Sequence, residues 1–178
     1  METIRILGVD PSLRNTGLAV VSFNTERVSK DSSAFQVAHC QVLVNPPKYT
    51  GKDAILNMLD MINDCAMQTC YQNVDNVIVE SPAVMFNKAW SAGTMASIAH
   101  ISGGAVALLG IEKSFLFRPN EWTKTRKKEV THNQTIAFLG TPDKWHYEKR
   151  VKSEKLMEHI LDATSLALFW IRSNYLEE

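Results

Sequence analysis

The sequence predicts an α/β fold, a mixed five-stranded sheet flanked by helices, and three observations lead there. Its strand-like apolar runs are short, bounded by turn residues, and five in number. The first three follow one another directly, after which helical periodicity alternates with the last two, the order of a mixed sheet covered by helices. The chain has 178 residues, 45% of them hydrophobic, which is enough for one sizeable core and too little for two. Residues 1–178 are therefore expected to form one domain.

The elements follow in order. Residues 3–10 and 17–24 read as two strands of a hairpin, joined by Pro11-Ser12-Leu13-Arg14-Asn15-Thr16, with Pro, Ser, Asn and Gly17 supplying the turn chemistry. A third strand runs over 36–44 and is stopped by Asn45-Pro46-Pro47. Apolar residues at Ile55, Leu56, Leu59, Ile62, Ala66 and Met67 then have helical spacing, predicting a helix over 51–71. Asn76-Val77-Ile78-Val79-Glu80 is a short buried strand. Residues 86–109 read as a helix rich in Ala, Ser and Gly, with Gly103-Gly104 as a candidate break. Ser114-Phe115-Leu116-Phe117 is the fifth strand, closed by Arg118-Pro119. Helical pieces follow around 120–125 and 127–139, then a polar loop with Gly140 and Pro142, and a last helix over 152–174.

Composition narrows the setting. No apolar run approaches the roughly 20 residues of a membrane span, and residues 1–20 lack the basic head and cleavage site of a secretory signal. A soluble, cytoplasmic protein with no membrane partner is expected. Cys40, Cys65 and Cys70 are odd in number and match no zinc spacing, so they read as buried thiols. Charge is balanced overall, 19 basic against 19 acidic residues, yet it is unevenly spread. Between Lys113 and Lys155 there are eleven Lys and Arg against five acids, leaving an equal acidic excess in the rest of the chain. A basic third of this kind is either a solvated face or a surface for an anionic polymer.

The acids carry the chemistry. Asp10 ends the first strand and Glu80 the fourth, each after an apolar run, and ligand sites of open α/β sheets lie outside the carboxyl ends of strands. In the last helix His159 and Asp162 are three apart and share a face, amid Leu156, Ile160, Leu161, Leu166, Leu168 and Phe169. Carboxylates in so apolar a setting need a positive or strongly hydrogen-bonding partner. An oxygen-rich set of Asp10, Glu80, Asp162 and His159 suits Mg²⁺ or Mn²⁺, and two such ions per site could activate a water and stabilise a leaving oxygen in phosphodiester hydrolysis. His39, His100 and His132 have no obvious partners along the chain and read as core or surface residues.

Gly8-Val9-Asp10-Pro11-Ser12-Leu13-Arg14-Asn15-Thr16-Gly17-Leu18-Ala19-Val20, then Val77-Ile78-Val79-Glu80-Ser81-Pro82, then His159-Ile160-Leu161-Asp162-Ala163-Thr164-Ser165-Leu166-Ala167-Leu168 resembles the RuvC family of Holliday junction resolvases, in order and spacing over nearly the whole chain. The resemblance implies a ribonuclease H-like fold, a homodimer, and divalent metal bound by Asp10, Glu80, His159 and Asp162. It also implies lysines that contact DNA near the scissile phosphate, for which Lys124 and either Lys127 or Lys128 are the nearest matches, with Arg126 between them. The sequence departs from the family in three places. Ser12 stands where a Gly is usual, Phe86 is the nearest substitute for the junction-wedging aromatic, and the Gly-rich loop between the lysines is missing. Residues 141–150, with Trp145, His146 and Tyr147, read as an insertion whose aromatics either stack on unpaired bases or pack locally.

The function expected from the resemblance is paired nicking of like-polarity strands at four-way or branched DNA by a two-metal mechanism. The alternatives are a nuclease of the same fold acting on flaps or RNA-DNA hybrids, a junction-binding protein without activity, and an actin-like or sugar-kinase-like ATPase. The last needs two such halves, and 178 residues supply one.

Overall fold

The computed structural model describes residues 2–25, 34–82, 92–123, 127–140 and 153–176. Its strands are β1 (Thr3–Asp10), β2 (Asn15–Asn24), β3 (Phe35–Val44), β4 (Asn76–Glu80) and β5 (Ser114–Phe117). Its helices are α1 (Gly51–Ala66), α2 (Thr69–Gln72), α3 (Ala92–Leu109), α4 (Pro119–Thr123), α5 (Lys128–Leu139) and α6 (Glu154–Tyr175). The sheet order is β3-β2-β1-β4-β5, with β1-β2 and β2-β3 antiparallel and β1-β4 and β4-β5 parallel. The five strands therefore form the expected mixed sheet.

Strand alternation decides which residues face which helices. Leu7, Val9, Leu18, Val20, Val77 and Val79 pack with Met58, Ile62, Ile101 and Ala105, so α1 and α3 cover one face. Ile4, Ile6, Val21, Phe23 and Ile78 pack with Leu166, Ala167, Trp170 and Ile171, so α6 covers the other. Continuing the β1 series Ile4, Ile6, Gly8 by two residues puts Asp10 on the α6 face. Ile78 does the same for Glu80.

α6 lies unusually close to the sheet, and two glycines are the reason. A Cβ on Gly8 would sit 1.9 Å from the Ala163 carbonyl oxygen, and one on Gly17 would sit 2.1 Å from that of His159. Gly17, expected to open the second strand and to help its turn, is a buried strand residue paired with Asp10, and β2 begins two residues earlier than expected. The tight turn is made by Ser12, whose hydroxyl accepts from the amides of Arg14 and Asn15 at 3.2 and 3.1 Å. At the position where the resolvase pattern usually has Gly, Ser12 therefore closes the turn with its side chain.

Other differences have local causes. The helix expected over 51–71 is split, because the chain leaves the helix after Ala66 and Gln68 is extended; Met67, which prolonged the apolar periodicity, is exposed. Cys40 and Cys65 are buried as expected, whereas Cys70 is only partly so; none of the three is joined in a disulfide, and burial pushes Cys40 up to about 12. The Gly103-Gly104 pair does not break α3: a Cβ on Gly104 would meet the end of the Leu59 side chain, so Gly104 lets α1 nest against α3, while Gly103 faces open space. α3 also amends the membrane expectation. It is long and apolar enough by length and composition to span one, but Ile101, Ser102, Ala105 and Leu109 bury a single face of it in the core.

Candidate functional site

The parallel register Val9↔Val79 sets Asp10 and Glu80 side by side on neighbouring strands, at the same end of the sheet and on the same face. The close approach of α6 then brings its first turns over that end. His159 donates from Nδ1 to Asp10 Oδ2 at 2.6 Å, joining residues 149 apart in sequence. An ionised carboxylate can only accept, so toward Asp10 in that form Nδ1 is the donor.

Asp162, one turn further along α6, is 7% exposed. Its Oδ1 accepts from His132 Nε2 at 2.7 Å, and its Oδ2 is paired with the Lys128 ammonium. Glu80 accepts from Trp122 Nε1 at 2.9 Å, and its main-chain oxygen is held by the Ser102 hydroxyl of α3 at 3.0 Å. Each of the three acids is thus met by a nitrogen donor from a different element.

The acids also act on one another. Burial, and then the charges of Asp10 and Asp162, push Glu80 up to about 8 against the opposing hydrogen bond from Trp122. Burial likewise raises Asp10 above the ordinary carboxylate range; His159 works against this and Asp162 adds to it. Burial opposes charge on Lys128 as well, but the Asp162 charge and hydrogen bond, helped by Asp10 and Glu158, outweigh it and hold the lysine above its usual value. Negative charge is therefore crowded at one rim, and Lys128 is the cation that meets it.

Among the described residues, no three His, Cys, Asp or Glu side chains already surround a common point that would hold a metal ion. The three carboxylates nevertheless fit a hard divalent cation: their charges are mutually unfavourable, and an ammonium stands at Asp162 where positive charge is wanted.

All four acidic or histidine positions read from the sequence come to this rim. Lys127 is exposed at the N-cap of α5, while Lys128 turns inward to Asp162. Phe86, Lys124, Arg126 and residues 141–150 lie outside the described residues. His39 is a core residue packed edge-on to Tyr71, and His100 is exposed on α3, both as expected. His132 has the partner that sequence reading did not find, and Trp122 escaped notice altogether. The sequence signal for His132 was polar spacing: Lys128, His132 and Thr135 recur at helical intervals and face Asp162 and Ser165, the Thr135 and Ser165 hydroxyls lying 2.7 Å apart.

No protein-family model matches the sequence, and no curated protein shows significant similarity to it. Solved structures do. RuvC of Thermus thermophilus in complex with a Holliday junction substrate is similar with a TM-score of 0.66 at 16% identity, covering 97% of this chain and 98% of that one. The yeast mitochondrial Holliday junction resolvase Ydc2 gives 0.57 at 15% identity, over 95% and 79%. The fowlpox virus resolvase in complex with Holliday junction DNA gives 0.55 at 16% identity, over 96% and 98%. The chain accordingly shares the fold of these resolvase structures.

Proposed function

We propose that the chain is a divalent-metal-dependent endonuclease that resolves Holliday junctions or related branched DNA. The observation that carries this reading is the convergence of Asp10, Glu80 and Asp162, from β1, β4 and α6, on one rim where burial and mutual repulsion call for a cation. The likeness to junction resolvases over nearly the whole chain supplies the substrate class.

Asp10, Glu80, Asp162 and His159 would hold Mg²⁺ or Mn²⁺, two ions per site. Metal so bound supplies Lewis acidity and a polarised water for phosphodiester hydrolysis. The chain's own residues prepare the place. His159 holds Asp10 through Nδ1, and Trp122 holds one oxygen of Glu80. Lys124, Arg126, Lys127 and Lys128 of the basic third are assigned to the DNA phosphates, which their charge would neutralise. Phe86 is assigned to the junction crossover. The outward face of α3, rich in small and apolar residues, is the proposed contact between two copies, so that a homodimer presents one site to each of two like-polarity strands. The activity is assigned to the cytoplasm.

Incubation with an immobile four-way junction, with and without Mg²⁺, tests this on a denaturing gel. Paired symmetrical nicks that require the metal are expected. Preference for an RNA-DNA hybrid or a flap would replace the substrate, and binding without nicking at any metal concentration would overturn the reading.

A further inference from the structure

We propose that α5 is a two-point clamp on Asp162, in which His132 is a positioning residue and Lys128 a resident counter-cation that a divalent ion displaces. This rests on Asp162 being a metal ligand, as read above. Lys128 and His132 are four apart on α5 and so project from one face, and they divide the Asp162 carboxylate between them, His132 on Oδ1 and Lys128 on Oδ2.

The two grips differ in kind. His132 is 8% exposed, and the Thr135 and Ser165 hydroxyls, 2.7 Å apart one turn on, lock α5 against α6. Its ring has nowhere else to go, so Oδ1 stays bound and the orientation of the carboxylate is set. Lys128 is half exposed on a flexible stem. Its ammonium also lies 3.7 Å from Glu158, an exposed acid one turn earlier on α6, which gives it a second acceptor when Oδ2 is taken. Metal uptake is then an exchange at a single oxygen: a monovalent ammonium leaves Oδ2 for Glu158 and a divalent ion enters, while His132 holds the other oxygen still. Partners behind a ligand typically change metal affinity about ten- to a hundredfold.

Mn²⁺ binding to the full chain without DNA, followed by calorimetry and by the electron paramagnetic resonance of free Mn²⁺, separates the two roles by sign. Lys128→Met is expected to bind Mn²⁺ about tenfold tighter than the wild type, and His132→Ala about tenfold more weakly. His132→Gln, whose amide nitrogen donates from nearly the same place, is expected to recover most of the loss. Thermal melting without metal reports folding for each; should His132→Ala not fold, Lys128→Met and His132→Gln carry the test. Unchanged or weaker binding by Lys128→Met, or a folded His132→Gln as weak as or weaker than His132→Ala, would overturn the clamp. Wild-type protein that binds no Mn²⁺ would overturn the metal reading and the clamp together. Binding that is lost in Asp162→Asn but unaltered in the two α5 variants would sink the clamp alone.

Discussion

The two faces of the sheet are covered in opposite ways. On one, α6 is pressed onto β1 and β2 until its main-chain carbonyls rest against Gly8 and Gly17, leaving no room for a methyl group. On the other, α3 buries only one stripe, and Gly104 approaches the tip of the Leu59 side chain. Every candidate ligand lies on the first face, and the apolar surface left for a second copy lies on the second. Precise placement of a few polar atoms goes with backbone contact, while adaptable association goes with side-chain contact.

The largest effect that bears on this contrast is expected at the rim. Asp10→Asn is expected to cost about 4 kcal/mol of barrier, roughly a thousandfold in nicking rate, while junction binding persists, because phosphate contacts lie elsewhere. Loss of binding and of the folded state together, seen by gel shift and circular dichroism, would make Asp10 a folding residue instead. Next in size, Gly8→Ala or Gly17→Ala is expected to lose about 3 kcal/mol in chemical denaturation, since a rigid carbonyl must move. Gly104→Ala on the opposite face is the control. Leu59 can turn aside and Ala favours the helix, so its stability is expected to stay within about 1 kcal/mol of wild type. Equal costs on both faces would erase the distinction.

Acid-base behaviour separates the faces in another way. With Glu80 raised to about 8 from an unfolded value near 4.5, the folded protein holds a proton between those limits that the unfolded chain has released. Metal-free stability is therefore expected to fall as pH rises from about 5 to 8 and to level off above that, a slope that denaturant melts across pH would reveal. Glu80→Gln is expected to flatten much of it, and the raised Asp10 contributes in the same direction. The smallest effect is expected on the outer face: Leu108→Glu, half-exposed on α3, leaves monomer stability nearly unchanged and weakens self-association in sedimentation.

Much of this was legible in the sequence, for a physical reason. β4 and β5 are found over the expected residues because each apolar run is cut off by a charge or a proline. Asp10 and Glu80 stood out because a carboxylate at the end of a buried strand is costly unless a partner meets it. His159 and Asp162 were legible as polar breaks in an apolar helix. What could not be read depended on distant partners. Gly17 was read for its turn chemistry at the start of the second strand because nothing near it in sequence announces His159 lying against it. His132 and Trp122 gain their meaning from carboxylates 30 and 42 residues away. Met67 kept the helical rhythm after the helix had ended, since periodicity does not record exposure.

The bond between His159 and Asp10 closes a loop of nearly the entire chain. Contacts of such separation carry a large loop-closure entropy and tend to be late in folding and early in partial opening. On gentle warming the first turn of α6 would lift from Gly17 while the central strands persist, so the proposed metal-binding rim would come apart below the melting temperature of the sheet.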